Sequence, residues 1–248
     1  MAWLAALPPV VQVFLYALVT AVATGFGALP FVFVRDVSSR TIARANAVAA
    51  GLMLGASFGL LTEGAHLGGW RTALGALAGV LLIVVTQRLL GDHEPEFGAL
   101  RGAPARRVLL VVAVMTVHSF AEGVAVGVSF GGGMALATAI TVAIAVHNVP
   151  EGLAITAVLR PRGASLLACV GWSVFSSLPQ PLTAVPAYLF VERVRPAMPY
   201  GLGFAAGAMV YMVLVELLPE AFEEGHAPRV ALLTGLTLAA MLLFQRRV

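Results

Sequence analysis

From Val10 to Val34 no residue carries a charge, and seven further stretches of the chain are nearly as apolar. The eight run roughly over 10–34, 45–66, 70–90, 107–129, 135–159, 163–191, 198–221 and 228–245. About 20 apolar residues carry a helix across a bilayer, and each stretch is long enough to cross with some tilt. Membrane strands would instead show alternating segments of about 10 residues. The sequence therefore predicts an all-α integral membrane protein with eight transmembrane helices, a single polytopic domain over 1–248. A composition of 60% hydrophobic against 11% charged residues excludes an ordinary soluble domain. Gly-rich runs such as "GLMLGASFG" (51–59) and "GLGFAAGA" (201–208) suit close helix packing through small residues.

Several function classes fall away on single residue types. The chain has no lysine, so a retinal-type Schiff base is excluded. Cys169 is the only cysteine, which leaves no intrachain disulfide and no thiolate metal cluster. The net charge of +3 comes from arginines scattered through loops, with no basic stripe to hold nucleic acid. The N-terminus lacks a positive n-region and its apolar run is too long for a signal peptide, so it reads as the first span.

The arginines set the expected orientation. With the N-terminus outside, ten fall on the cytoplasmic side: Arg35, Arg40, Arg44, Arg88, Arg101, Arg106, Arg107, Arg160, Arg162 and Arg229. Only Arg71, Arg193, Arg195, Arg246 and Arg247 fall outside. Both termini are therefore expected to be extracytoplasmic, in the cell inner (plasma) membrane. The one substantial loop, 91–107, holds Asp92, His93, Glu94 and Glu96, which could hold a metal weakly but read better as a solvated charged loop.

The chemistry lies in a repeat. "VHSFAEGVAVG" (117–127) and "VHNVPEGLAIT" (146–156) both read H-x-x-x-E-G-x-A, at an offset of 29 residues. Between Arg107 and Arg160 the only charges are Glu122 and Glu151, and "FGGG" (130–133) divides the stretch into two helices. At ~1.5 Å per residue, His118 and His147 both sit about 17 Å from that turn, near the bilayer midplane. The i, i+4 spacing puts His118 over Glu122 and His147 over Glu151, with Asn148 bordering the same face.

A carboxylate at that depth costs about 2.5–3.5 kcal/mol, and two repel unless a proton or cation lies between them. One such pair reads equally well as a structural hydrogen bond; two copies at matching depth favour a cation site. Imidazole with carboxylate suits Zn²⁺ first, then Fe²⁺ or Mn²⁺, and argues against Mg²⁺ and Ca²⁺. Pro150 frees the carbonyl of Val146, so a kink beside the site is expected. Gly123 and Gly152 permit close backbone approach. The spacing is not that of an H-E-x-x-H metalloprotease.

At these residues the sequence resembles the ZIP (Zrt/Irt-like) divalent-metal transporter family, as a bacterial member. "HNVPEG" (147–152) matches the family's fifth-helix motif and "HSFAEG" (118–123) its fourth-helix partner; "VELLPEA" (215–221) extends the likeness to the seventh span. The resemblance implies a transporter and not an enzyme, carrying Zn²⁺ or a related divalent cation such as Cd²⁺ toward the cytoplasm as substrate, with no cofactor. It implies a 3+2+3 helix arrangement with inverted repeats. It also implies a principal site of His118, Glu122, His147 and Glu151, and a second site of Asn148 with the two glutamates. The expected partners are divalent ions and the lipid bilayer, with a second copy of the chain as a candidate.

Two departures weaken that second site: Ser119 stands where members often have Asn, and Gln180 where many bacterial members have Glu. Pro179 and Pro181 are expected to break the sixth span there. Glu216 and Glu220, followed by Glu223, Glu224 and His226, form a candidate exit funnel; Glu63 and His66 form a candidate entrance. The competing readings are a membrane enzyme with a metal-activated water, and a proton relay or antiporter through the two histidines.

Overall fold

The computed structural model describes residues 6–34, 38–91 and 103–247, and every regular element among them is helical. The chain runs α1 (Pro9–Gly25), a 3₁₀ turn (Phe26–Ala28), α2 (Pro30–Phe33), α3 (Ser39–Gly91), α4 (Ala103–Gly131) and α5 (Met134–Leu159). There follow α6 (Leu166–Ser177), α7 (Pro179–Arg193), α8 (Met198–Met212), a π-helical segment (Val213–Leu217), α9 (Leu218–Glu224) and α10 (Ala227–Gln245). Five helical runs among the described residues are long and apolar enough to cross a membrane. Asp92, His93, Glu94 and Glu96 lie outside the described residues.

The breaks follow the residues that cannot sustain a helix. In α3 the backbone leaves helical geometry at Gly68 (φ 167°, ψ 89°), between the second and third apolar stretches. A Cβ on Gly64 would lie 2.7 Å from the Thr72 hydroxyl, eight residues on, so the halves of α3 fold back on each other there. Gly133, with φ 102°, makes the turn between α4 and α5 that "FGGG" predicts. The sixth stretch divides at Leu178, whose N–H reaches only the Phe175 carbonyl, because Pro179 and Pro181 bring no N–H to the ladder. Pro150 behaves differently: α5 stays helical through it.

α3 lies along α8 and α10, α4 against α7, and α1 against α5 and α7. The packed faces are dominated by small residues, with Ala17, Ala121, Ala125, Ala143, Ala205, Ala206 and Ala208 all buried. Without a hydrophobic gain between helices in lipid, close van der Waals contact takes over this role. The outward faces carry exposed Leu236 and Leu243 on α10 and Leu182 on α7, as lipid-facing surfaces require.

Two ends of the bundle can be told apart. The Arg195 guanidinium donates to the Gly131 carbonyl at 2.7 Å, joining the α4 terminus to the turn before α8. At the same end, Glu63, Ala135 and Arg246 line one cavity. Arg40, Arg44 and Arg229 meet at another hollow, formed where α3 and α10 begin.

The glycines of the repeat bring the backbones together. A Cβ on Gly123 would meet the Gln180 backbone at 2.5 Å, and one on Gly152 would meet the Thr24 carbonyl at 1.7 Å. Gly152→Ala is therefore expected to overpack the α1–α5 contact, at about 1–3 kcal/mol or more. The thermal unfolding midpoint in detergent should drop by roughly 5 °C or more. An unchanged midpoint would mean that α1 and α5 are not in close contact.

Candidate metal centre

Four helices contribute to one buried polar cluster in an otherwise apolar interior. α4 supplies His118, Ser119 and Glu122; α5 supplies His147, Asn148 and Glu151; α7 supplies Gln180; α1 supplies Thr20. All eight side chains are buried, Glu151 being the most accessible at 7%. The α4–α7 and α1–α5 approaches at Gly123 and Gly152 lie one residue beyond Glu122 and Glu151. The same positions that clear space for neighbouring backbones therefore fix the depth at which the carboxylates meet.

Glu122 is the hub. Its Oε1 contacts His147 Nε2 from α5 and lies 3.5 Å from His118 Nε2, one turn back on α4. One ligand atom from each of His118, Glu122 and His147 falls within 4.8 Å of the others. Its Oε2 accepts a 2.6 Å hydrogen bond from Gln180 Nε2. The Gln180 Oε1 in turn accepts from the Thr20 hydroxyl, and Asn148 Nδ2 lies 3.4 Å from it. Asn148 Nδ2 also donates to the Thr20 carbonyl at 2.9 Å. These contacts hold the Gln180 amide with its N–H₂ toward Glu122.

What is left without a partner is equally informative. His118 Nδ1 and Nε2, His147 Nδ1, Asn148 Oδ1, Ser119 Oγ and both Glu151 oxygens are buried and make no hydrogen bond. Leaving one buried polar group unsatisfied costs about 1–3 kcal/mol, and most of these atoms are lone-pair donors. Among the described residues no arginine pairs with Glu122 or Glu151. Nitrogen and oxygen donors on facing helices, with carboxylates lacking a protein counter-ion, are what a borderline divalent cation requires.

The geometry changes one sequence expectation. The i, i+4 rule sets His147 over Glu151, yet His147 contacts Glu122 on the other helix and Glu151 stays outside the tight group. Gln180 joins the site at the predicted break. Thr20 carries no signal in the sequence: threonine is unremarkable in an apolar helix, and its hydroxyl also lies 2.7 Å from Ala17 O within its own turn.

The outer candidates are separate from this cluster. Glu216 sits in the π-helical segment, where Leu218 N–H reaches back five residues to Val213 O. Its Oε1 accepts from Gln87 Nε2, and Tyr211 donates to Gln87 Oε1 at 3.2 Å. The ladder widens just before Pro219, whose missing N–H deprives the Val215 carbonyl of its usual donor. Glu220 is exposed and accepts from Asn46 at 3.2 Å. Glu223 and His226 are exposed. Half-buried Glu63 lines the cavity of about 500 Å³ at the opposite end, while His66 is exposed and does not line it.

Comparison with known proteins identifies a transporter family. Residues 91–243 match the family model described as ZIP Zinc transporter. The chain is 32% identical over 242 residues to the zinc transporter GufA of Myxococcus xanthus, covering 91% of this chain and 95% of that one. It is 35% identical over 236 residues to the zinc transporter ZIPB of Bordetella bronchiseptica, covering 89% and 76%. An Arabidopsis thaliana protein described as a proposed zinc transporter is 45% identical over 231 residues, which are 92% of this chain but only 37% of the plant protein. A family model spanning more than half of the sequence, and a relative aligned over nearly its whole length, place this multi-pass chain in the ZIP zinc transporter family, whose members are transporters and not enzymes.

Proposed function

We propose that the chain carries a divalent transition-metal cation across the inner (plasma) membrane toward the cytoplasm, with Zn²⁺ the preferred cargo and Fe²⁺, Mn²⁺ and Cd²⁺ as competitors. The observation that carries this reading is the set of buried, unpartnered donor atoms on His118, His147, Asn148 and Glu151 around the Glu122 hub. A dication there would be ligated by His118, Glu122 and His147, with Glu151 and Asn148 Oδ1 swinging in as it loads. Ser119 and Gln180 border the path.

Family membership implies a 3+2+3 bundle, whose helix number the eight apolar stretches match, forming one transport domain over 1–248 in which α4 and α5 hold the cargo. The excess of arginines at one end supports extracytoplasmic termini. On that orientation Glu63 and His66 lie toward the entrance, and Glu216 and Glu220 toward the exit. A homodimer is compatible with the wide apolar faces, which the lipid bilayer also covers. The decisive experiment is uptake of radioactive zinc into proteoliposomes, with competition by Cd²⁺, Fe²⁺ and Mn²⁺. Metal binding without flux would sink the transport reading.

Proton competition follows from the ligand types. Ligation needs neutral imidazoles and ionised carboxylates, so bound metal is expected to decrease as pH is lowered from about 7.5 to about 5.5. Titration calorimetry with Zn²⁺ across that range checks it. An affinity independent of pH would rule out His118 and His147 as ligands.

A further inference from the structure

Away from the metal centre, a hollow of about 420 Å³ opens where α3 and α10 begin, lined by Arg40, Arg44, His226 and Arg229. The four come from two segments almost 190 residues apart in sequence, so their meeting is a property of the fold. Among the described residues no carboxylate lines the hollow, and none of the three guanidiniums makes a hydrogen bond or an ion pair. Its floor is apolar, with Ala43 and Val230 buried and Ala47 and Ala221 packed beneath. Gly225 forms part of the wall and a side chain there would strike Val230 at 2.7 Å, so the space is kept clear.

Scattered arginines at one end of a membrane protein set orientation and need not converge. Here three exposed arginines surround one concavity, and an anion between them would relieve their mutual repulsion. The depth identifies that anion. The apolar bodies of α3 and α10 start within a few residues of Arg44 and Arg229, which places the hollow where hydrocarbon gives way to headgroups. Beyond Val230, which lines the hollow, only Met241 is buried along α10, so most of the helix surface is left for lipid.

We propose that this hollow binds the phosphate of an anionic phospholipid headgroup, held by Arg40, Arg44 and Arg229 with His226 at the rim, while the acyl chains lie along α10. A bound lipid would clamp the start of α3 to the start of α10. The site is independent of the metal reading, and its test uses no transport.

The test is native mass spectrometry of the full chain titrated with phosphatidylglycerol, with phosphatidylcholine as the neutral lipid and inorganic phosphate as the soluble anion. The expected result is a saturable phosphatidylglycerol adduct that phosphatidylcholine does not reproduce. Arg44→Gln/Arg229→Gln should weaken it by roughly 30-fold, whereas Arg246→Gln/Arg247→Gln at the opposite end should leave it unchanged. Should the double variant fail to fold, each single Arg→Gln change is expected to weaken binding about fivefold. Equal phosphatidylglycerol affinity in wild type and in the Arg44 and Arg229 variants would overturn the proposal. So would tight inorganic phosphate binding with no preference for the anionic lipid, which would assign the hollow to a soluble phosphate instead.

Discussion

Glu122→Ala is expected to lower zinc uptake into proteoliposomes by at least about 100-fold while the protein remains folded in the membrane. Glu122 is the point at which α4, α5 and α7 meet, touching His118, His147 and Gln180 at once. Its removal deletes the central oxygen donor and half of the negative charge in the cluster. A mid-membrane carboxylate costs about 2.5–3.5 kcal/mol to insert, so loss of the charge does not in itself unfold the bundle. The apolar contacts around Ala121 and Ala125 are untouched.

Glu151→Ala is expected to abolish uptake as well, by another route. Glu151 has no hydrogen bond to lose, so its effect on fold should be smaller still, and its removal takes away charge and a ligand that joins as the ion loads. Glu122→Gln preserves shape and removes only charge, which separates ligation from packing. Full uptake in any of these variants at matched expression would defeat the metal-site reading.

How much of this was legible in the sequence depends on the physics of each feature. The helical class followed from apolar runs that no soluble domain tolerates. The shared depth of the two His–Glu pairs followed from their equal distance to the "FGGG" turn, because helical rise is constant. The partner of His147 did not follow. Spacing along one helix says nothing about the crossing of two, and His147 reaches Glu122 across the α4–α5 contact and not Glu151 beneath it. Gln180 was visible as a polar residue between prolines, whereas Thr20 is one threonine among several on apolar helices. The π-helical segment at Glu216 was also hidden, since a proline signals a disturbed ladder without saying which register replaces it.

The unmodified chain is expected to bind one ion tightly, and Gln180→Glu to raise that number to two. The reason is the direction of the Gln180 amide. Its Oε1 faces the donors of Thr20 and Asn148, which leaves its N–H₂ on Glu122 Oε2 at 2.6 Å. An N–H₂ group offers no lone pair to a cation, so the second position is occupied by a hydrogen bond where a dication would need an oxygen. Ser119, with a hydroxyl in place of an amide, adds little.

Gln180→Glu would set a carboxylate oxygen against Glu122 at a separation that two ionised groups cannot sustain. At 4 Å and an effective dielectric constant near 20 the repulsion is already about 4 kcal/mol. A second cation relieves it, and so does a proton, which makes the gain in occupancy strongest at high pH. With more negative charge around the cargo, release should slow and turnover fall even as binding tightens. Elemental analysis of the purified proteins gives the stoichiometry directly. Two ions per chain before substitution would show that the amide and hydroxyl side chains rearrange to ligate. One ion in Gln180→Glu at high pH would show that Gln180 does not border the path.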